Sequence, residues 1–415
     1  MRIIREKISL LLMLTFVLPA AATRAADEMP SPVLSRAAMR ERAAELQALG
    51  ARLFRDRSLS ASGKLACASC HDPAHGFAPA NGLAVQMGGA DMRQPGTRAA
   101  PSLTYLEATP PFTEHFFDSD DDGDESVDNG PTGGLTWDGR VDRGRDQARI
   151  PLLSSYEMAN KDAAAVAARV EKAGYAASLR RIFKAKLDTP ETLFDAAVEA
   201  LEVYEQDYRL FYPYSSKYDA FLAGQAELGP AEARGLALFE DPAKGNCASC
   251  HISERANNGA PPEFTDYGLI AIGVPRNRAI PANADPHYFD LGLCGPERKD
   301  FRDRPEYCGL FKTPSLRNVA RRRVFMHNGV FTSLRQVIEF YVERDTDPGK
   351  WYAHNADGTV EKYDDLPAAY HDNVNVDPPF DRKPGDKPAL DAAEIDDVIA
   401  FLGTLTDGYE PPKRP

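Results

Sequence analysis

The pentapeptide Cys-Ala-Ser-Cys-His occurs twice, at Cys67 to His71 and again at Cys247 to His251. C-x-x-C-H is the attachment sequence of a c-type haem. Two thiols add across the two vinyl groups of the porphyrin, and the two-residue spacer sets both sulfurs along one edge of the ring. The adjoining histidine, His71 or His251, offers its imidazole to the iron. A redox dithiol and half of a zinc site are the competing chemistries for such a pair. A dithiol has no use for a histidine in the same relative place. The only other cysteines, Cys294 and Cys308, cannot complete zinc ribbons. Two covalently bound haem c groups are therefore expected, on Cys67, Cys70 and His71 and on Cys247, Cys250 and His251.

The likeness between the halves extends upstream of each motif. Gly50 aligns with Gly235, Leu53-Phe54 with Leu238-Phe239, and Asp56 with Asp241. Internal similarity of this kind implies two copies of one domain. Helices are expected over Ser35–Phe54, from Gly229-Pro230 into the second haem loop, over Asp162–Lys172 and over Pro190–Tyr204. The last has Thr189 as its cap and Pro190 in the first turn. Ser333 opens a further helix with a capping-box pattern to Gln336, and Leu334, Val337, Ile338 and Tyr341 mark its buried face. Asp391 opens another, with Ile395, Val398, Ile399 and Leu402 on one side. Strand patterns are nearly absent. The expected class is mainly α, two c-type cytochrome domains in tandem with extensive loops: 26–160, then a helical connection over 161–227, then 228–415.

At the N-terminus, Arg2, Arg5 and Lys7 precede an apolar run from Ile8 to Leu18 and a stretch of small residues. This is the pattern of a secretory signal peptide over 1–25, with cleavage after Ala25 or earlier at Ala22. The run is too short to span a bilayer, and nothing later is long and apolar enough to do so. The mature chain is expected in the periplasm, where haem attachment takes place and where Cys294 and Cys308 would form a disulfide closing a surface loop. The 415 residues are 27% charged and 43% hydrophobic, with a formal net charge of −13, which argues against a nucleic-acid partner. Within the acidic stretch from Phe117 to Gly130, Asp118, Asp120, Asp122 and Gly123 start like a calcium loop. Glu125 and Asn129 then break the pattern, so a solvated loop is the plainer reading.

Two haems could simply pass electrons. Catalysis needs one iron with an open face and acid/base groups beside it. The segment Gly133 to Asn160, "GGLTWDGRVDRGRDQARIPLLSSYEMAN", resembles the W-D-G-R…Q…E-M segment of bacterial dihaem cytochrome c peroxidases and their MauG-type relatives. "FKTPSLRNV" and "FMHNGVFTSLRQVIEFY" resemble the second-domain signature of the same family. The resemblance implies that Trp137 lies between the haems and shortens the electron's path. It implies that Gln147 and Glu157 stand over the open face of the first haem, with Pro151 in the same loop. Heterolysis of hydrogen peroxide takes a proton from one oxygen and delivers it to the other. A carboxylate can carry that proton, and an amide can hold the substrate without titrating. From the residues alone, a glutamate is most often solvated and a tryptophan most often core.

The second haem's far ligand separates two branches of the family. Fourteen residues after His327 stands Tyr341, as in the MauG-type branch, where conventional peroxidases have Met; Met326 is the rival. A thioether raises the potential, whereas a phenolate is a hard donor that favours the oxidised iron. Family members often hold a calcium ion with an Asn in an R-N-x-P stretch, which here reads Arg98-Ala99-Ala100-Pro101. MauG-type enzymes carry a second Trp just before the second haem motif, where Gly245 stands here; the other Trp is Trp351. Met87, Met92 and His75 lie in the region of a resting-state ligand for the first haem. The resemblance implies hydrogen peroxide as substrate. It also implies either a small redox protein as donor, a cytochrome c or a copper protein, or a partner protein as the substrate oxidised. A non-catalytic dihaem electron carrier is the alternative of another class.

Overall fold

A computed structural model of the chain describes residues 35–117 and 128–411. The signal peptide read over 1–25 and the acidic residues Asp118, Asp120, Asp122, Gly123 and Glu125 lie outside them. From Arg42 onward the chain makes one compact unit. It is helical, with eleven α-helices among the described residues and two short antiparallel ladders, β1 (Met87–Gly88) with β2 (Gln94–Pro95) and β3 (Leu269–Ile270) with β4 (Phe311–Lys312).

The buried apolar side chains gather into two cores. The first takes residues from α1 (Arg36–Leu53), α3 (Gly144–Leu153), α4 (Ala163–Lys172), α5 (Ala176–Phe183), α6 (Pro190–Glu205) and α7 (Tyr208–Phe211). Between α1 and α3 lies the single turn α2 (Cys67–Cys70). The second core begins at Tyr218 in α8 (Lys217–Leu222) and is built by α9 (Pro230–Glu240), α10 (Leu334–Glu343) and α11 (Ala392–Gly403). Helices α4 to α7 thus pack within the first core, where Phe194, Val198 and Leu201 of α6 are buried.

The upstream repeat has a physical purpose. A Cβ on Gly50 would lie 2.0 Å from the Ala200 carbonyl oxygen of α6, and a Cβ on Gly235 would lie 2.0 Å from the Asp397 carbonyl oxygen of α11. Each glycine lets a helix cross its partner at backbone contact, and the crossing sets the direction of the chain into the haem loop. Phe54 and Phe239, which follow in each copy, are both fully buried.

Helix starts follow local chemistry. Asp162 Oδ1 accepts from the Ala165 amide at 2.9 Å, and Thr189 Oγ1 from Thr192 at 3.2 Å. Asp391 and Glu394 form the full reciprocal box. The box expected between Ser333 and Gln336 is only half made. Ser333 Oγ accepts from the Gln336 amide, but the Gln336 side chain turns to the amide and hydroxyl of Thr332. The face of α10 also differs from expectation. Phe340 and Val342 are deeply buried beside Ile338, whereas Leu334, Val337 and Tyr341 are half-buried because they line the cavity described next.

Candidate active site

One continuous cavity runs between the two cores, and both Cys-Ala-Ser-Cys-His turns open into it. His71 Nδ1 is 3.0 Å from the Phe77 carbonyl oxygen, and His251 Nδ1 is 2.9 Å from that of Phe264. A carbonyl only accepts, so the proton of each ring sits on Nδ1 and the Nε2 lone pair is left for a metal. Burial pushes His71 down to about 4, which keeps it neutral at physiological pH. Burial also pushes Cys67 and Cys247 up to about 12, so neither is an activated thiolate of the kind a redox dithiol uses.

The cavity walls carry two cations, Arg322 and Lys312, that form no ion pair among the described residues, although Asp138 acts on Lys312 from a distance. Arg322 is pushed down to about 10 by burial, no carboxylate offsets it, and its one hydrogen bond is Nη2 to the Ala100 carbonyl at 3.4 Å. Lys312 of β4 is buried, pushed down to about 8, and donates to the Gly134 carbonyl at 2.5 Å. A guanidinium and an ammonium held out of water need anions. The propionates of a haem are anions of that kind, so the donor set and the charges both fit haem. Neither Arg322 nor Lys312 stood out in the sequence, because a lone basic residue there has no distinguishing spacing.

Gln147 on α3 and Glu157 just beyond its C-terminal end line the same cavity, with Pro151 inside the helix between them. Burial raises Glu157; the neighbouring Arg140 pulls it down and Glu297 pushes it up. Glu157 in turn acts on both Cys67 and Cys70, which locates it on the side of the first haem motif. Glu205, at the end of α6 beside Cys67, is a second buried carboxyl, pushed up to about 8, that the sequence did not single out. Trp137 is buried at the boundary between the cores. Its indole Nε1 donates to the Ala99 carbonyl at 2.8 Å, and its own carbonyl accepts from the Lys312 amide at 2.8 Å. The Ala99 amide donates to the His327 carbonyl at 2.7 Å, so the loop of Ala99 joins Trp137 to the second core.

Tyr341 and Met326 both line the cavity beside the second motif, and burial holds the Tyr341 phenol well above its ordinary value. His327 stacks on Phe311 at 3.5 Å. Gly245 is close-packed: a Cβ there would lie 2.7 Å from the Leu238 carbonyl oxygen and 3.1 Å from Cys247 Sγ. Trp351 packs against Phe331 and Phe340, inside the second core. Of the three residues near the first haem motif, His75 and Met87 reach the cavity wall, whereas Met92 packs on the first core. His75 Nδ1 is tied to Asp72 at 2.9 Å. Cys294 and Cys308 are joined in a disulfide. Both cysteines are buried, and the loop that their bond closes reaches the surface at Lys299, Asp300, Arg302 and Asp303.

The di-haem cytochrome c peroxidase family model matches residues 44–227. The chain is 35% identical over 375 residues to the methylamine utilization protein MauG of Paracoccus denitrificans, covering 88% of this chain and 90% of that one. The chain belongs to the dihaem cytochrome c peroxidase family. It is 25% identical over 329 residues to the cytochrome c551 peroxidase of Nitrosomonas europaea, covering 77% and 78%. The solved structure of the diheme peroxidase BthA from Burkholderia thailandensis superposes with a TM-score of 0.77 at 42% identity, over 87% of this chain and 86% of that one. Membership makes this chain a haem-dependent oxidoreductase. No helix among the described residues is long and apolar enough to cross a membrane.

Proposed function

We propose that this chain is a periplasmic dihaem peroxidase that reduces hydrogen peroxide to water. One observation carries the reading: two histidines with Nδ1 committed to a carbonyl and Nε2 free open into one cavity that also holds Glu157 and Gln147. Cys67, Cys70 and His71 would hold one haem c and Cys247, Cys250 and His251 the other, and these groups would supply the electrons for cleaving the O–O bond. Glu157 carries the proton from one peroxide oxygen to the other, helped by burial that raises its proton affinity. Gln147 orients the substrate, and Trp137 bridges the two haem sites. Arg322 and Lys312 bind propionates. The domains run over 26–160 and 228–415. Helices α4 to α7 of the 161–227 connection work as part of the first, which is supported by their place in its core, and α8 works with the second.

Calcium has little to hold it between the cores. Among the described residues no three His, Cys, Asp or Glu side chains converge as a metal site, and Ala99 has no side-chain oxygen. Arg98, paired with Asp138 and Asp290, supplies a cation across that boundary.

A second reading is supported by the identity with MauG and by Tyr341 at the wall of the second haem site: peroxide would oxidise side chains of a partner protein. The close packing at Gly245, where that branch has Trp, weighs against it. Conventional turnover, with a cytochrome c or copper protein as donor, is the net reaction we favour. The test adds one equivalent of hydrogen peroxide to the diferric protein and follows absorption into the near-infrared. A long-lived two-electron-oxidised state without prior reduction would support the partner-oxidising reading. Reaction only after the second haem is reduced would support conventional peroxidase. Silence in both states would leave an electron carrier and remove the role of Glu157.

A further inference from the structure

The loop closed by Cys294 and Cys308 belongs to the second core, yet it reaches the wall of the first haem site. Its Arg298 anchors it there. Arg298 Nη1 donates to the Asp138 carbonyl at 2.9 Å, and the guanidinium lies over Phe112 at 3.8 Å and Phe301 at 4.5 Å. The preceding residue, Glu297, is turned into the cavity. Its Oε1 accepts from the Tyr156 hydroxyl at 2.7 Å, and its Oε2 lies 3.6 Å from Arg140 Nη1. Tyr156 is the residue directly before Glu157. Arg140 Nη1 is also 3.0 Å from Asp138 Oδ2. Glu297, at 24% side-chain exposure, lines the same cavity as Glu157.

We infer that Glu297 is a positioning residue for Glu157: through its charge and its hold on Arg140 and Tyr156, it sets the proton affinity of the first haem's acid/base group. This rests on the role proposed for Glu157. The ionisable groups facing Glu157 are Arg140 from the loop before α3, Glu297 from the disulfide loop, Tyr156 from its own turn, and Cys67 and Cys70 from the haem motif. Glu297 itself faces Arg140, Tyr156 and Tyr288. Behind them, Asp138 is shared with Arg98, whose other partner is Asp290. Arg140 therefore stands among Asp138, Glu297 and Glu157. With the Glu297 charge removed, more of Arg140's field falls on Glu157, a negative neighbour is lost, and the Glu157 carboxylate is stabilised. Its proton affinity falls.

The test is made on the holoenzyme with two readouts. One is the pH dependence of fluoride binding to the ferric protein, followed by absorbance. The other is the pH profile of the second-order rate with hydrogen peroxide. In the wild type both should break where Glu157 titrates, and Glu157→Gln should abolish the break. Glu297→Gln should move the break down by about half to one pH unit. Glu297→Lys should move it further, and Glu297→Asp, which keeps the charge, should restore most of it. A merely structural role would not grade with charge. An unmoved break in Glu297→Gln, with Glu157→Gln still abolishing it, overturns the inference and leaves Glu157 in place. A break that survives Glu157→Gln overturns the Glu157 role, and this inference with it.

Discussion

Replacing Arg98 with Met tests whether one guanidinium joins the two cores. Arg98 Nε and Nη2 grip the two oxygens of Asp290 at 2.6 and 2.7 Å, and Nη1 donates to Asp138 at 2.7 Å. All three side chains are at most 9% exposed. Asp138 belongs to the Trp137 loop and Asp290 to the strand-poor region ahead of the disulfide loop. In Arg98→Met, Asp138 keeps Arg140 and Thr136, but Asp290 keeps only the Gly292 amide at 3.1 Å. Removing one partner of a buried pair costs about 3–5 kcal/mol, because the other charge stays buried. At about 2–4 °C per kcal/mol, that is a fall in melting temperature of roughly 6–20 °C.

The pH dependence has a definite sign. In the wild type, burial raises Asp138 but Arg98 and Arg140 outweigh it and hold its carboxyl below the usual range. That stabilisation is present above the ordinary carboxylate value of about 4 and is lost as pH falls through the depressed one. Without Arg98, Asp138 loses the stronger of its two cationic partners and the variant forfeits that stabilisation. The gap between wild type and variant should therefore be full at pH 7 and narrow as pH falls below about 4. Differential scanning calorimetry of the holoprotein on both sides of that value measures this. Adding Asp290→Asn should recover part of the loss, and a calcium chelator should leave the wild-type transition unmoved. A change below about 2 °C, or a gap independent of pH, would refute the reasoning.

Gly50→Ala and Gly235→Ala should each destabilise at the upper end of the roughly 1–3 kcal/mol typical of overpacking, because the added carbon meets a backbone oxygen that cannot rotate away. An unchanged urea midpoint in either would refute the crossing. Tyr341→Phe should alter the ferric absorption and abolish any long-lived oxidised state, whereas Met326→Leu should leave both; the reverse pattern would transfer the ligand role to Met326.

What the sequence carried most clearly was local. The haem motifs, the cap at Thr189, the helix start at Asp391, and the period of α11 all arise from contacts a few residues apart. The match of Gly50 with Gly235 was visible as a repeat, but its meaning lay in Ala200 and Asp397, which no spacing connects to it. The face of α10 was misjudged because two environments bound that helix. Phe340 packs on Phe331 and Trp351, while Leu334 and Tyr341 turn to the cavity, so one apolar stripe cannot describe both. Gln336 accepts from Thr332 rather than from the cap amide, a competition between adjacent donors that a motif cannot rank. Arg140, Glu297, Lys312 and Arg322 were hidden because charged residues are common on any surface. Only burial distinguishes these.

The duplication explains what the two haem sites share, and the unrepeated segments explain how they differ. Each copy brings a glycine crossing, a buried phenylalanine and a histidine whose Nδ1 is fixed by a carbonyl. Those parts suffice to bind a haem and would make two equivalent electron carriers. Asymmetry comes from what each core adds to the wall. The first adds the end of α3, with Gln147 and Glu157, residues that can hold a peroxide and move its proton. The second adds α10, with Tyr341, and the turn of Met326, residues that can ligate iron but do not exchange a proton near neutral pH. The disulfide loop then returns from the second core to put Glu297 beside Tyr156. A catalytic site that draws Glu157 from the first core and Glu297 from the second would be one that neither half could form alone.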